Sequence, residues 1–127
     1  MRGADLAEVP LFASLTDVER EEIAASMRIE TIPEDVYVVE EGDLSYKFLV
    51  ILEGSARVEK NGVHISTLGP GDFFGESGIL HREHRNADVI SITPMRLGVL
   101  ISWDVRDLMN RYPSVAARIE AAAEDRV

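Results

Sequence analysis

The sequence has no cysteine and no long apolar run. Without cysteine the chain forms no disulfide and offers no thiolate, which is compatible with a reducing compartment and leads us to expect a cytoplasmic protein. No stretch approaches the roughly 20 apolar residues that a transmembrane helix needs, so we expect no membrane insertion. The N-terminus has one arginine and no long apolar run before acidic residues appear, so no signal peptide is predicted.

Basic residues are scarce: 13 Lys and Arg stand against 23 Asp and Glu, for a net charge of −10. Binding to a nucleic-acid backbone relies on clustered lysine and arginine, so this balance argues against direct nucleic-acid binding. The run from His81 to Arg85 is a local exception, because its two arginines and one glutamate carry +1. Such a run is typical of a solvated loop or, beside a glycine-rich helix start, of an anion site.

The middle of the chain has the pattern of a β protein. A hydrophobic content of 46% and a length of 127 residues suit one globular domain with one core. The stretch from Phe48 to Leu52 is apolar on both faces and predicts a central strand covered on two sides. Asn61-Gly62 predicts a hairpin turn. Many short strands with regular turn signals predict a β-sandwich or a jelly-roll barrel.

Helices are predicted at both ends of the chain. Thr16 and Glu19 have the spacing of a capping box, which opens a helix that should end near Arg28, with strand periodicity from Ile32. Ser102 is predicted to cap a later helix, and Pro113 to start the last one. Apolar residues at helical spacing predict core packing for both: Val105, Leu108, Met109 and Tyr112 in the first, then Val115, Ile119 and Ala122 in the second.

The stretch from 69 to 89 carries the pattern of an anion site. Gly75 and Gly78 lack the Cβ atoms that would keep a ligand away from the backbone. A helix start there would direct unpaired N–H groups and the positive end of its dipole at the ligand. Arg85 adds a forked donor set that matches two phosphate oxygens. Glu76 would repel a phosphate, but it suits a ligand that also offers hydroxyls, as a ribose does.

The order Phe74-Gly75-Glu76, small and apolar residues, then Arg85 and Ala87 resembles the phosphate-binding cassette of cyclic-nucleotide-binding domains. These are the modules of protein kinase A regulatory subunits, the bacterial catabolite activator and cyclic-nucleotide-gated channels. The resemblance covers nearly the whole chain, including turn glycines at Gly42, Gly54 and Gly71. Asp35 is a departure, since it stands where the family usually has a glycine with positive φ.

The resemblance implies a mainly β fold with flanking helices, an antiparallel β jelly-roll barrel also called a double-stranded β-helix. The whole chain, 1–127, would be one domain. An N-terminal helical segment would span 1–30, the barrel 31–101 with the cassette at 71–87, and two C-terminal helices 102–127.

The resemblance also implies a function. Glu76 would hold the ribose 2′-hydroxyl and Arg85 the cyclic phosphate, within a ligand-binding set of Phe74, Gly75, Glu76, Ser77, Gly78, Ile79, Arg85, Asn86 and Ala87. We expect cAMP, with cGMP as the alternative, because family members tuned to cGMP often have threonine at the position of Asn86. We expect no cofactor, no metal and no catalytic residue. The module would pass ligand occupancy through its C-terminal helices, the second serving as a lid, to a protein partner or an attached effector domain.

Two alternatives remain open. Ser77 stands where the family has a larger aliphatic residue, and Asn86 where it has Ser, Thr or Ala, which is compatible with a degenerate jelly-roll module that binds no ligand. His81 and His84, with Glu83 between them, could instead ligate a metal, as in cupin enzymes. In cupins, however, the ligands lie on strands facing into the barrel, whereas this pair is predicted to lie in a loop and His64 on a hairpin.

Overall fold

Short strands fill the middle of the chain, with helices on both sides of them. The computed structural model describes residues 2–40, 47–75 and 87–125. The helices within these ranges are two 3-10 helices, Gly3–Leu6 and Pro10–Phe12, and three α-helices, α1 (Asp17–Ser26), α2 (Ser102–Arg111) and α3 (Pro113–Asp125). The strands are β1 (Arg28–Ile32), β2 (Tyr37–Val39), β3 (Lys47–Glu53), β4 (Ala56–Lys60), β5 (Val63–Leu68), β6 (Phe73–Phe74), β7 (Asp88–Ser91) and β8 (Met95–Ile101). None of the helices described is long and apolar enough to cross a bilayer.

Within the described ranges, the strands form two four-stranded antiparallel sheets. The first sheet has the order β1-β8-β3-β6, and the second sheet has the order β2-β7-β4-β5. The chain changes sheet after every strand except at the β4–β5 hairpin, which gives a jelly roll. The expected jelly roll is confirmed, although within the described ranges it is a two-sheet sandwich and not a closed barrel.

The crossings between the sheets lie at two ends of the sandwich. At one end, which we call the closed end, the short segments 33–36, 54–55, 69–72 and 92–94 each join one sheet to the other. At the opposite end, which we call the cassette end, the chain leaves β2 for β3 and leaves β6 for β7. The β4–β5 hairpin turn also lies at the cassette end, because Glu59 pairs with Asp88, the first residue of β7.

Two separate cores result, and β3 contributes to both through the alternation of its side chains. Phe48 and Val50 face a helical core, which the first sheet forms with the N-terminal segment, α2 and α3. Leu49 and Ile51 face an inter-sheet core, which lies between the two sheets. The prediction of a central strand covered on both sides is therefore confirmed, since all four side chains are at most 2% exposed.

The predicted local signals are mostly confirmed. Thr16 accepts a hydrogen bond from the Glu19 backbone, and the Glu19 carboxylate accepts one from the Thr16 backbone, so the capping box forms. Asn61 and Gly62 both have positive φ in the hairpin turn. Asp35, at the position of a family glycine, also has a positive φ, of 58°.

Two predictions at element boundaries are wrong. The first helix ends at Ser26, and β1 begins at Arg28 instead of near Ile32. The charged residues of β1 hide its alternation, because it is an edge strand with part of its surface in solvent. Ser102 does not cap α2 but is its first residue. The N-cap position falls on Ile101, which is still paired with Lys47 at the end of β8.

Candidate functional site

The structure describes the predicted cassette only where its two ends join the fold. Phe74, Gly75 and Ala87 lie within the described ranges. The other predicted ligand contacts lie outside them: Glu76, Ser77, Gly78, Ile79, Arg85 and Asn86. The histidine pair of the metal alternative, at 81 and 84, also lies outside, so the roles assigned to all of these residues stay predictions.

The first attachment is β6, two residues long but fixed on both faces. Phe74 pairs with Leu49 and is buried in the inter-sheet core. Phe73 packs against the helical core, with its ring centroid 5.3 Å from that of Phe48. Gly75 follows with a φ of 96°, a backbone conformation that residues with a Cβ rarely adopt. The cassette therefore starts from a strand whose two side chains are anchored in different cores.

The turn before β6 is held from two sides. The Asp72 carboxylate accepts a hydrogen bond of 2.8 Å from the Gly69 backbone, which closes the turn on itself. Gly71 N donates to the Ile51 carbonyl, and Ile51 N donates to the Asp72 carbonyl, so the turn is tied to β3. A Cβ on Gly71 would lie 3.0 Å from Pro10 Cδ, which shows how closely the N-terminal segment packs here.

The second attachment is β7, an inner strand of the second sheet. It pairs with β2 on one side and β4 on the other. Val89 is buried in the inter-sheet core, one residue after Asp88. Ala87 is half-buried just before the strand. Both attachments of the cassette are thus set by paired strands, one in each sheet, at the same end of the sandwich.

Sequence reasoning missed the apolar wall of the second sheet near this end. Val39 and Val58 are half-buried side chains packed against the inter-sheet core. Ser66 lies directly opposite Val58 on β5, so its hydroxyl is on the same face. The alternation of Ala56 and Val58 could have indicated this wall, but alternation alone does not say which face meets a ligand.

The two C-terminal helices pack as predicted on their apolar stripes. Val105, Leu108 and Tyr112 are buried in the helical core, and so are Val115 and Ile119 of α3. Their neighbours there include buried residues of the N-terminal segment: Leu6, Val9, Leu11 and Phe12.

Polar contacts hold α3 in the same place. The Arg118 guanidinium donates to the Pro10 carbonyl, and the hydroxyls of Ser14 and Ser114 are 3.1 Å apart. The apolar stripe of α3 therefore faces the N-terminal segment, which differs from the expected lid over a ligand. A spacing pattern shows that a stripe is buried but not what covers it.

A polar network joins α1 to the junction of α2 and α3. One oxygen of the Glu22 carboxylate accepts hydrogen bonds from Arg111, at 2.6 Å, and from the Tyr112 hydroxyl, at 2.8 Å. The Arg111 guanidinium also lies 5.4 Å from the centroid of the Tyr112 ring. Burial raises the pKa of the Tyr112 hydroxyl above its ordinary value, and the hydrogen bond to Glu22 raises it further.

The His64 side chain forms hydrogen bonds with neighbouring residues of its own strand, β5. Its Nε2 lies 2.8 Å from the Ser66 carbonyl oxygen and therefore donates to it, and the same nitrogen is 3.1 Å from the Thr67 hydroxyl. In the described ranges, no group of three or more His, Cys, Asp or Glu side chains is placed to hold a metal ion.

Comparison with known proteins gives matches to a family model, to curated relatives and to solved structures. The family model for the cyclic nucleotide-binding domain matches residues 29–112. A cAMP-dependent protein kinase regulatory subunit of Schizosaccharomyces pombe is 37% identical over 116 residues, which is 85% of this chain and 28% of the relative. A cyclic nucleotide-gated potassium channel of Mesorhizobium japonicum is 33% identical over 122 residues, which is 95% of this chain and 34% of the relative.

A solved structure agrees with these sequence matches. The regulatory domain of Toxoplasma gondii PKA, co-crystallised with cAMP, superimposes with a TM-score of 0.85 at 25% identity. The superposition covers 98% of this chain and 49% of that one. The chain spans about three tenths of the length of the first curated relatives that it matches.

Proposed function

The chain belongs to the cyclic nucleotide-binding domain family, and we propose that its residues 74–87 bind a cyclic nucleoside monophosphate in a regulatory module. The observation that carries the proposal is the placement of the two cassette attachments. Phe74 is fixed in the first sheet and Val89 in the second, both at the cassette end. The chain between them contains Glu76 and Arg85 at the spacing of the family cassette.

Each part of the ligand has a proposed partner. The Arg85 guanidinium pairs with the cyclic phosphate, and the Glu76 carboxylate accepts from the ribose hydroxyl. The base lies against the half-buried wall of Val39 and Val58, where the Ser66 hydroxyl offers one polar contact. An apolar wall with a few placed polar groups is the usual composition of a small-molecule site.

We propose cAMP as the preferred ligand. The S. pombe relative is named for cAMP, and the T. gondii structure was obtained with cAMP. Asn86 replaces the threonine that often accompanies cGMP preference, and one hydrogen bond limits selectivity at this position to roughly tenfold. Competition between the two nucleotides tests this: displacement of cAMP by cGMP at the lower concentration would refute the preference.

We further propose that the module acts on a protein partner or an attached effector domain, in the cytoplasm. The relatives named above include a kinase regulatory subunit and a channel, each about three times as long as this chain. The coupling route is α2 and α3, whose apolar stripes share the helical core with Phe73, the residue before Phe74. A ligand that shifts the cassette would act on this core through β6.

Titration calorimetry with cAMP tests the binding proposal. Arg85→Ala should abolish measurable binding, because truncating one partner of a buried charge pair costs about 2–5 kcal/mol, or roughly 30-fold to several thousand-fold. Arg82→Ala is the matched control, since it removes the same charge from the same segment. Equal affinities of Arg85→Ala and Arg82→Ala would contradict the assignment of the phosphate to Arg85.

The same samples address the alternatives. Wild-type protein that binds neither cAMP nor cGMP would favour the degenerate module. Stoichiometric zinc or iron, found by elemental analysis of protein purified without chelator, would favour the cupin-type enzyme.

A further inference from the structure

A groove runs between α1 and α2 on the surface of the helical core. Buried apolar side chains form its floor, among them Ile23, Leu100 and Leu108. Charged side chains of the two helices line its rim: Glu22, Asp104, Asp107 and Arg111. The groove therefore combines an apolar floor with a rim of three carboxylates and one guanidinium.

The three carboxylates differ in how well they are paired. Glu22 lies 2.6 Å from Arg111, and this ion pair joins the two helices near the C-terminal end of α2. Asp107 lies 3.7 Å from the same guanidinium, and its side chain is 63% exposed. Asp104 is half-buried in the first turn of α2, and its carboxylate has no hydrogen bond or ion pair with any side chain that the structure describes. The groove is therefore neutralised at its Arg111 end and keeps its negative charge at its Asp104 end.

The single tryptophan of the chain lies beside the Asp104 end. Trp103 is 78% exposed, and its ring makes no aromatic or cation–π contact within the part of the chain that the structure describes. It lies four residues before Asp107, about one helical turn, so the two side chains share a face of α2. Tryptophan is highly buried on average and is enriched among the residues that contribute most to protein–protein binding. Its exposure here indicates a contact surface.

A tryptophan ring beside two carboxylates matches the chemistry of an arginine side chain. A guanidinium is attracted to the face of a tryptophan ring and pairs with carboxylates through its forked donors. It also stacks on aromatic rings and is more weakly hydrated than a lysine ammonium. The apolar floor suits an apolar residue next to such an arginine.

The charge of this surface also argues against other partners. Carboxylates repel nucleic acid and anionic lipid, and two copies of a chain with a net charge of −10 repel each other. A protein segment that carries positive charge is the partner that complements the surface.

We propose that Trp103, Asp104 and Asp107 form a docking surface for a protein partner that presents an arginine beside an apolar residue. The guanidinium lies over the Trp103 ring and pairs with the two carboxylates, and the apolar neighbour covers the groove floor at Leu108. The inference rests on the proposed action on a protein partner but not on the binding of a cyclic nucleotide. The surface lies on α2, so a partner docked here contacts one of the two helices of the proposed coupling route.

Short fluorescein-labelled peptides serve as probes of this surface. The test peptide alternates leucine and arginine, and two control peptides have lysine or glutamate in place of every arginine. Fluorescence anisotropy without nucleotide measures the affinity of each peptide. The arginine peptide should bind about two- to fivefold more tightly than the lysine peptide, because a lysine pairs as a point charge and lacks the stacking guanidinium plane. The glutamate peptide should not bind.

Two variants test the residues of the surface. Trp103→Ala should weaken binding of the arginine peptide about five- to tenfold and reduce the preference for arginine over lysine. Asp104→Asn should weaken binding about two- to fivefold, the range for one partly exposed ion pair. The matched controls are Tyr37→Ala, at an aromatic residue that is 52% exposed on β2, and Glu120→Gln, at an exposed carboxylate on α3. Both controls should change the affinity by less than twofold.

The wild type also reports where the peptide binds. Because Trp103 is the only tryptophan, its fluorescence should change when the arginine peptide binds. Losses confined to Trp103→Ala and Asp104→Asn, with melting temperatures equal to that of the wild type, support the inference.

Several results would overturn the inference. Equal affinities of Asp104→Asn and Glu120→Gln, or of the arginine and lysine peptides, would assign the binding to net charge alone. Self-association in ultracentrifugation that Trp103→Ala abolishes would assign the surface to a second copy of the chain. Absence of binding by the arginine peptide would leave no docking surface for arginine. In each case the binding of cAMP, which is measured separately through Arg85, would stand or fall by its own result.

Discussion

The two ends of the sandwich are built differently. At the closed end, the buried Ser91 hydroxyl donates to the Pro33 carbonyl at 2.7 Å and accepts from Val36 N at 2.9 Å. At the cassette end, by contrast, Val63 is 62% and Ile101 46% exposed. Short hydrogen bonds fix how the sheets are joined at one end, and the other end presents groups that a ligand or partner can still contact. Substitutions should therefore affect stability at the closed end and binding at the cassette end.

The largest effect is expected from a glycine at the closed end. Gly54 has a φ of 90°, and a Cβ there would overlap the Pro94 carbonyl oxygen. Gly54→Ala should lower the free energy of unfolding by roughly 3 kcal/mol or more, since backbone strain and overpacking add. Gly62→Ala is the matched control at the cassette end, with a φ of 78° and open space around it, and should cost about 1 kcal/mol. Urea denaturation measures both, and equal losses would remove the contrast between the two ends.

Ser91 should give the next largest effect. Ser91→Ala leaves the Pro33 carbonyl and the Val36 amide without this partner, at a cost of about 1–3 kcal/mol. The affinity of the Ser91→Ala variant for cAMP should stay within about twofold of that of the wild type, because Ser91 lies at the closed end. The comparison fails if denaturation shows no loss of stability, or if calorimetry shows a large loss of binding.

The reverse pattern is expected for Val58 on the inner wall. Val58→Ala removes half-buried methyl groups, so the loss of stability should be about 1 kcal/mol. If the Val58 side chain contacts the base, its truncation should also lower the affinity for cAMP about fivefold. Val18→Ala, at a valine that is 69% exposed on α1, serves as the control for both measurements. Unchanged affinity in Val58→Ala would show that this wall is structural.

The smallest effect is expected outside both ends, in the network of Glu22, Arg111 and Tyr112. Tyr112→Phe should cost about 0.5–1 kcal/mol near neutral pH, where it loses one hydrogen bond. Burial and Glu22 raise the folded pKa of the Tyr112 hydroxyl above its unfolded value of about 10. The contribution of this hydroxyl to the free energy of unfolding is therefore complete below that pH and is lost as pH rises through the folded pKa. Between pH 9 and 11.5, the free energy of unfolding should decline less steeply with pH in Tyr112→Phe than in the wild type. A decline as steep as that of the wild type would contradict the role of this hydroxyl.

Local signals in the sequence predicted most of the fold. The run from Phe48 to Leu52, the Asn61-Gly62 turn and the stripe from Val105 to Tyr112 each depend on neighbours in sequence, and each is confirmed. The boundary near Arg28 was missed because charged residues on an edge strand obscure the period of two. The packing of α3 on the N-terminal segment was missed because periodicity shows which face is buried but not its partner.

The candidate site was predictable only where it is contiguous in sequence. The cassette pattern around Glu76 and Arg85 is one segment, so spacing alone singled it out. Val39, Val58 and Ser66 come from three different strands, and only the pairing register places them. No local signal distinguishes such residues from any other strand positions. Their assignment therefore depends on which sheet and which end of it they occupy.

The alternation at β6 also has a consequence for how this scaffold tolerates changes in length. Phe73 belongs to the helical core and Phe74 to the inter-sheet core, so a slip by one residue would exchange the two rings between the cores. Because Asp72 is hydrogen-bonded to Ile51, a residue inserted or deleted between Asp72 and Phe74 would require that exchange or the loss of this bond. A change in length after Gly75 leaves β6 in place. Cassettes of other lengths should therefore be grafted between Gly75 and Asp88, with the junction on the far side of both phenylalanines.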